Sequence, residues 1–183
     1  MTPVVDAVVF GIWIVFWIYW LAASASAKAT RRRGPLAGFR IGFVLLALLL
    51  LRAALPKGDL RVVHNHTVQA IGLAVLLTGL GLAVWARVYL GRNWGTPMSQ
   101  RVEPELVTTG PYRSIRHPIY SAMILALIGT TIAVSLYWLA AVVISGAYFV
   151  YSAFVEERNM TSEFPEAYPA YKKRTKMLVP FVF

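Results

Sequence analysis

The sequence of 183 residues contains no cysteine, and it has only eight acidic residues against 18 lysines and arginines. The absence of cysteine excludes disulfide bonds, thiolate metal sites and cysteine nucleophiles. A P-loop, a dinucleotide-binding glycine fingerprint and a Ser/His/Asp triad are also missing. The segment His64-Asn65-His66 is only a weak metal signal, and it has no cysteine beside it. We therefore predict a protein without a metal site.

Long apolar runs dominate what is present: 58% of the residues are hydrophobic, and the mean hydropathy is +0.61. A helix needs about 20 residues to cross the roughly 30 Å hydrocarbon layer of a bilayer. Five runs approach that length, and they cover residues 4–25, 39–55, 68–90, 118–134 and 136–155. We therefore predict an all-α integral membrane protein with five transmembrane helices.

These runs predict one domain over residues 1–183, with two spans in residues 1–66 and a core that carries the site in residues 67–183. The first run is too long for a signal-peptide core and no basic residue precedes it, so we expect it to be retained. Almost nothing polar separates the fourth and fifth runs, which predicts a tight helical hairpin. Gly72 and Gly79 lie two turns apart in the third run and predict close helix packing.

The net charge of +10 predicts an orientation in the membrane better than it predicts a nucleic-acid partner. Three regions have five basic residues each, in or beside the segment: the first loop with Arg40, the third loop with Arg87, and the tail. The second loop has only Arg52, Lys57 and Arg61 nearby. Because lysine and arginine collect in cytoplasmic loops, we place the amino terminus outside and the carboxyl terminus inside. The third loop and the tail then form a cytoplasmic cap.

The segment from Gly110 to Tyr120, GPYRSIRHPIY, places rings, cations and a histidine between two apolar runs. Pro118 predicts a helix start, because proline is favoured at the first helical position. The unpaired N–H groups of a helix start bind carboxylate or phosphate, and Arg113, Arg116 and His117 would reinforce that preference. The alternative is a basic membrane flank with a helix cap, in which the tyrosines are interfacial anchors.

The acidic pair Glu156 and Glu157 follows the fifth apolar run, where the helix dipole opposes negative charge. We expect a cation opposite the pair, either Arg113, Arg116 or Arg158, or the ammonium group of a ligand. A purely structural salt bridge is the alternative.

The tail from Glu163 to Arg174 alternates rings with charges, and Pro165 and Pro169 should interrupt any long helix. We interpret it as a lid over the site. The alternative is a basic segment attracted to anionic lipid headgroups.

With these residues in view, the chain resembles the isoprenylcysteine carboxyl methyltransferase family of small membrane enzymes that use S-adenosylmethionine. The resemblance covers roughly residues 85–180. Its strongest parts are ELVTTGPY at 105–112, RHPIY at 116–120, the acidic pair, and FPEAYPAY at 164–171. Each part is weak alone, but the ordered set is specific.

The resemblance implies a pocket for S-adenosylmethionine, with S-adenosylhomocysteine as the product. The residues that match its lining are Gln100, for which Ser99 is a competing match, Glu105, Leu106, Val107, Tyr112, His117, Pro118, Ile119, Tyr120 and Glu156. Two positions depart from the family pattern. Pro104 stands where a histidine is usual, and Ser152 stands where eukaryotic members have an arginine that engages substrate. The resemblance therefore implies an isoprenylcysteine-like carboxylate acceptor without assigning prenylcysteine itself.

We therefore expect methyl transfer to a lipophilic small-molecule or lipid-linked acceptor, most simply a carboxylate, which is ionised near neutral pH and needs no base. Arg174 is our candidate for holding that carboxylate. An amine acceptor, as in a phospholipid N-methyltransferase, would need a base, for which Glu157 or a tail tyrosine is the candidate. One rival is an NADPH-dependent membrane reductase of the sterol-reductase type, which the acidic pair disfavours. A helical membrane scaffold is the other, and it would place charges in mid-span.

Overall fold

The computed structural model describes residues 2–32 and 65–179. Five α-helices lie in these ranges: α1 (Thr2–Ser24), α2 (His66–Leu90), α3 (Pro118–Ala133), α4 (Trp138–Glu163) and α5 (Ala167–Arg174). Two 3-10 turns, Gly91–Asn93 and Gly110–Arg113, shape the segment between α2 and α3. The span predicted at 39–55 lies outside the described residues.

Three of the helical segments are long and apolar enough to cross a membrane: Val4–Ser24, His66–Asn93 and Trp138–Glu163. The apolar helix α3 has 16 residues and is therefore about 24 Å long, which is shorter than the bilayer core. The prediction of a helical integral membrane protein is confirmed, and a four-residue connection between α3 and α4 forms the expected hairpin.

Local sequence signals explain where the helices begin and end. The side chain of Asn65 caps α2 by accepting a hydrogen bond from the Thr67 N–H at 2.8 Å. The fourth predicted span begins at Pro118 as expected, with His117 in the N-cap position. Helix α4 ends one residue before Phe164, because Pro165 disfavours helical geometry in the residue that precedes it.

Close contact between α2 and α3 forms the centre of the molecule. A Cβ atom built on Gly72 or Gly79 would lie less than 3 Å from the backbone of Ala133 or Ala126, so both glycines are needed for this approach. This confirms the packing role predicted for them. Gly129 of α3 contributes from the other side, where a Cβ atom would meet the backbone of Leu76.

Helix α1 packs on this pair through buried apolar side chains, among them Val9, Phe16 and Trp20. The indole N–H of Trp13 donates to the Thr130 hydroxyl at 3.1 Å, which adds a polar link to the contact.

Three features differ from the sequence-based expectations. The last predicted span stops at 155 with its apolar run, but α4 continues to Glu163, because polar residues 156–163 still favour a helix once they leave the hydrocarbon. Pro169 lies inside α5, in its first turn, where proline is tolerated. The all-α prediction also missed a short antiparallel ladder of β1 (Thr30–Arg32) and β2 (Gln100–Arg101). These two strands contain no apolar run from which a strand could have been predicted.

Candidate active site

The carboxylate of Glu156 joins α4 to the start of α3. Its Oε1 atom accepts a hydrogen bond from the Tyr120 hydroxyl at 2.5 Å and another from the backbone N–H of Met98 at 2.7 Å. Its Oε2 atom lies 3.4 Å from Nδ1 of His117. The side chain is 24% exposed, so a ligand can still reach it. The start of α3 and the part of α4 that carries Glu156, about two turns before its end, are therefore in direct contact.

Met98 was missed by the sequence analysis. It lies between α2 and α3, it is almost fully buried, and its φ of 62° places it in the left-handed region. That region costs a non-glycine residue of order 1–3 kcal/mol, and such strain is typical of functional sites. The backbone geometry aims an N–H group at Glu156, and nothing in the local sequence signals it.

Aromatic rings form one wall beside this carboxylate. The rings of His117 and Tyr120 are parallel, with centroids 5.4 Å apart, and Tyr120 stacks on Phe149 of α4 at 4.7 Å. Tyr120 is thereby fixed between two neighbours while its hydroxyl points to Glu156. Because neighbouring rings cover both of its faces, Tyr120 contributes a fixed hydroxyl to the site and not an open ring face.

Glu157 lies in a separate cluster of charges. Its Oε1 atom is 2.6 Å from Nε of Arg116, and its Oε2 atom is 2.6 Å from Nζ of Lys172. The side chains of Glu157 and Arg116 are only 3% and 7% exposed. Arg116 also donates to the carbonyl of Thr175 at 2.5 Å. The expectation of a cation opposite the acidic pair is confirmed for Arg116. The ion pair between Lys172 and Glu157 was not predicted.

The tail is docked against the segment that precedes α3. The hydroxyl of Tyr171 donates to the carbonyl of Tyr112 at 2.6 Å. The backbone N–H groups of Arg116 and His117 donate to the carbonyls of Lys176 and Met177 at 2.8 and 3.1 Å. These contacts hold the tail beside the helix start that carries His117 and Tyr120.

The tyrosines in this contact are neutral hydrogen-bonding groups. Burial raises the pKa of Tyr171 to about 12, and it raises the pKa of Tyr112 and of Tyr168 further. At neutral pH these phenols keep their protons, so they can donate hydrogen bonds but do not act as bases.

His117 has competing influences on its charge. Burial alone would lower its pKa, but the carboxylates of Glu156 and Glu157 outweigh burial and raise the pKa above its usual value. Its Nε2 atom is buried, has no hydrogen-bond partner and lies 3.6 Å from Glu157. The raised pKa of His117 therefore favours a positively charged imidazole between the two carboxylates.

The remaining predicted site residues lie apart from Glu156 or make their contacts elsewhere. The exposed carboxylate of Glu105 pairs with Lys28 at 2.8 Å and accepts from Asn93 at 3.2 Å, and the hydrogen bond from Lys28 is the main cause of its lowered pKa. Gln100 belongs to β2 and is half-buried. Arg174 is exposed and lies 5.8 Å from the centre of the Tyr171 ring.

Four further predicted site residues lie at the start of α3 or in the loop that precedes it. Pro118 is buried as the first residue of α3, and Ile119 packs into the two apolar clusters on either side of it. Leu106 and Val107 are half-buried in the loop before the 3-10 turn at Gly110. The structure thus brings His117, Pro118, Ile119, Tyr120 and Glu156 together, with Tyr112 linked through the tail.

A hollow of about 430 Å³ lies on the side of α4 that carries Glu157. It is lined by Phe154, Glu157, Arg158, Thr161, Ser162 and Lys172. Consecutive residues of an α-helix point about 100° apart, so this hollow and the Glu156 site occupy different faces of α4.

Comparison with known proteins identifies relatives of the chain. The family model described as phospholipid methyltransferase matches residues 67–167, more than half of the sequence. The nickel-cobalt-cadmium resistance protein NccN of Alcaligenes xylosoxydans xylosoxydans is 33% identical over 144 residues, which are 77% of this chain and 64% of that protein. The cobalt-zinc-cadmium resistance protein CzcN of Cupriavidus metallidurans is 32% identical over 108 residues, which are 57% of this chain and 50% of that protein.

The chain therefore spans between half and two thirds of the length of these two relatives. The metals named in NccN and CzcN refer to those two proteins and not to this chain. Within residues 2–32 and 65–179 of this chain, no group of three or more His, Cys, Asp or Glu side chains is placed to hold a metal ion.

A solved structure shares the fold. The eukaryotic intramembrane Ras methyltransferase ICMT, an isoprenylcysteine carboxyl methyltransferase, superposes with a TM-score of 0.60 at 23% sequence identity. The match covers 80% of this chain and 54% of that one. The helical fold that the sequence resemblance implied is thus confirmed, with three long apolar helices within residues 2–32 and 65–179.

Proposed function

Because the chain belongs to the phospholipid methyltransferase family of membrane proteins, we propose that it transfers a methyl group from S-adenosylmethionine to a lipophilic acceptor. Members of this family are methyltransferases that depend on that cofactor. The observation that carries the proposal is the carboxylate of Glu156, oriented by Tyr120 and Met98 and left partly open. It lies where the start of α3 meets α4, about two turns before α4 ends.

The chemistry of the Glu156 site fits the cofactor. A partly exposed carboxylate suits the ammonium group of the cofactor. We propose that Glu156, Tyr120 and His117 hold the cofactor, with Tyr112, Pro118 and Ile119 supporting them. The family resemblance alone adds Gln100, Glu105, Leu106 and Val107 to the proposed pocket.

S-adenosylmethionine, when bound, supplies an activated methyl group. The task of the protein is then to position the acceptor in line with that group and to exclude water. Tyr120, fixed by stacking on both sides, donates its hydroxyl to Glu156 and so keeps that carboxylate in place for the cofactor. The docked tail covers the start of α3, and we propose that it acts as the lid of the site.

A carboxylate acceptor fits the site better than an amine. The groups considered as bases are already engaged: Glu157 pairs with two cations, and the tail tyrosines keep their protons. A carboxylate needs no base, only a cation to hold it. We propose Arg174, whose exposed guanidinium lies at the end of α5, for this role. Glu157, first considered as a base, then serves to hold the tail through Lys172 and Arg116.

Five membrane spans, with the amino terminus outside and the site in the cytoplasm, complete the proposal. The basic residues of the third loop and the tail support this orientation. It places the site where a cytoplasmic cofactor and a substrate from the lipid phase can both arrive.

Titration calorimetry in detergent tests the proposed function. S-adenosylhomocysteine should bind the unmodified protein, and NADPH should not. Glu156→Gln should lower the affinity for S-adenosylhomocysteine at least tenfold, since a hydrogen bond to a charged group contributes about 1.5–3 kcal/mol. The matched control is Glu166→Gln, an exposed residue outside the site. Equal affinity in the Glu156→Gln variant, or tighter binding of NADPH, would overturn the proposal.

A further inference from the structure

Helix α4 presents one face that changes in character along its length. Val143, Tyr151 and Phe154 are 63%, 57% and 48% exposed, and they are followed on the same face by exposed Arg158 and Ser162. The spacings of eight, three, four and four residues place these side chains above one another on a helix. The outward face is therefore apolar up to Phe154 and polar from Arg158 onward.

The length of α4 explains where this change falls. A helix of 26 residues is about 39 Å long, whereas the hydrocarbon layer is roughly 30 Å thick. The last turns must then stand at the level of the lipid headgroups. Arg158 lies one turn beyond Phe154, so its guanidinium and the neighbouring ring straddle the boundary between acyl chains and headgroups.

The 430 Å³ hollow opens at this boundary. Arg158, Thr161 and Ser162 line it from α4, and Lys172 lines it from α5. With Glu157 as its only acidic lining residue, the hollow carries a net charge of +1. The Lys172 ammonium lies 2.6 Å from Oε2 of Glu157, and the side chain is 49% exposed, so an ammonium with three donors can also reach a ligand.

We propose that this hollow binds an anionic phospholipid. The phosphate lies between Arg158 and Lys172, and the acyl chains follow Phe154 and Tyr151 along the outward face of α4. A guanidinium and an ammonium are suited to a phosphate, and the excess positive charge favours an anionic headgroup over a zwitterionic one. The apolar face that continues from the hollow favours a lipid over a soluble phosphate.

Such a lipid would connect α4 to α5, because its phosphate contacts one cation from each helix. It would thus help to hold the tail against the body of the protein. This inference does not depend on methyl transfer, since the Glu156 site occupies another face of α4 and none of the residues proposed to hold the cofactor borders the hollow.

Native mass spectrometry can test the proposal after the purified protein is incubated with equal amounts of phosphatidylglycerol and phosphatidylcholine. The unmodified protein should retain phosphatidylglycerol preferentially. Arg158→Gln should reduce that retention roughly tenfold, as expected for the loss of a charge-assisted contact to phosphate. Lys173→Gln is the matched control, because Lys173 is an exposed cation next to Lys172 that does not line the hollow. It should leave retention unchanged.

Three results would overturn the proposal. Equal losses in the Arg158 and Lys173 variants would indicate a general attraction to basic surface. Equal retention of both lipids by the unmodified protein would remove the selectivity for anionic headgroups. Displacement of the lipid by glycerol 3-phosphate at the same concentration would assign the hollow to a soluble anion. A thermal unfolding curve for Arg158→Gln that matches the unmodified protein confirms that lost retention is not lost folding.

Discussion

His117 lies between the carboxylates of Glu156 and Glu157. A positive charge on its ring therefore interacts both with the cofactor site and with the charge cluster that holds the tail. Tyr120 stacks on its other side, and Arg116 precedes it in the chain and pairs with Glu157. These neighbours determine how strongly the imidazole holds its charge.

The raised pKa of His117 predicts how stability depends on pH. Because the folded-state value exceeds the unfolded value of about 6.5, this residue stabilises the fold fully below pH 6.5. That contribution is lost as pH rises through the folded-state pKa. Thermal unfolding in detergent from about pH 5.5 to pH 9 should therefore show falling stability, and His117→Gln should flatten the slope.

His66→Gln provides the control, since His66 is exposed at the start of α2. A slope that is equally steep in the His117→Gln variant and in the control would show that the pH dependence arises elsewhere.

The sequence allowed part of this site to be predicted residue by residue. His117, Tyr120 and Glu156 belong to motifs with a strong local pattern, and the structure brings them into contact. Met98 could not be predicted, because its role depends on a backbone N–H and a positive φ that its side chain does not announce. Lys172 was visible only as one of several basic tail residues.

At the level of the helices, the contact between α2 and α3 depends on glycines at particular positions. Gly129 faces the backbone of Leu76 directly, whereas Gly81 faces open space. The two positions therefore differ in packing although both are helical glycines of the membrane core.

Gly129→Ala should lower the free energy of unfolding by about 1–3 kcal/mol, because the added methyl group forces the two helix backbones apart. Gly81→Ala should be neutral or stabilising by up to about 1 kcal/mol, since alanine favours a helix more than glycine does. Thermal unfolding of the two variants in the same detergent provides the comparison. Equal stability of the two variants would contradict the close packing seen between α2 and α3.

The helices themselves were largely predictable, because long apolar runs and proline positions are strong signals. Gly72 and Gly79 were identified from their two-turn spacing, but the matching role of Gly129 required knowledge of which face α3 turns toward α2. The continuation of α4 beyond its apolar run was missed for a related reason: hydropathy reports the membrane boundary and not the end of a helix.

The orientation of the whole molecule has a convenient test, because the chain contains no cysteine of its own. Single cysteines at Ser114, before α3, and at Thr67, at the start of α2, should react from opposite sides. Both positions are exposed. In intact cells a membrane-impermeant maleimide should label Thr67→Cys and leave Ser114→Cys unlabelled until the membrane is opened. The reverse pattern would place the site outside and contradict the proposed topology.

The central claim is that the start of α3, the end of α4 and the Met98 loop form one cofactor site. Hydrogen–deuterium exchange with and without S-adenosylhomocysteine measures this most directly, because the segments concerned, 95–101, 110–117 and 156–163, lie at or beyond the membrane boundary, where exchange is measurable. We predict that all three become protected together, while residues 66–70 at the opposite end of α2 do not change. Protection of one segment without the others, or of residues 66–70, would contradict a single shared site.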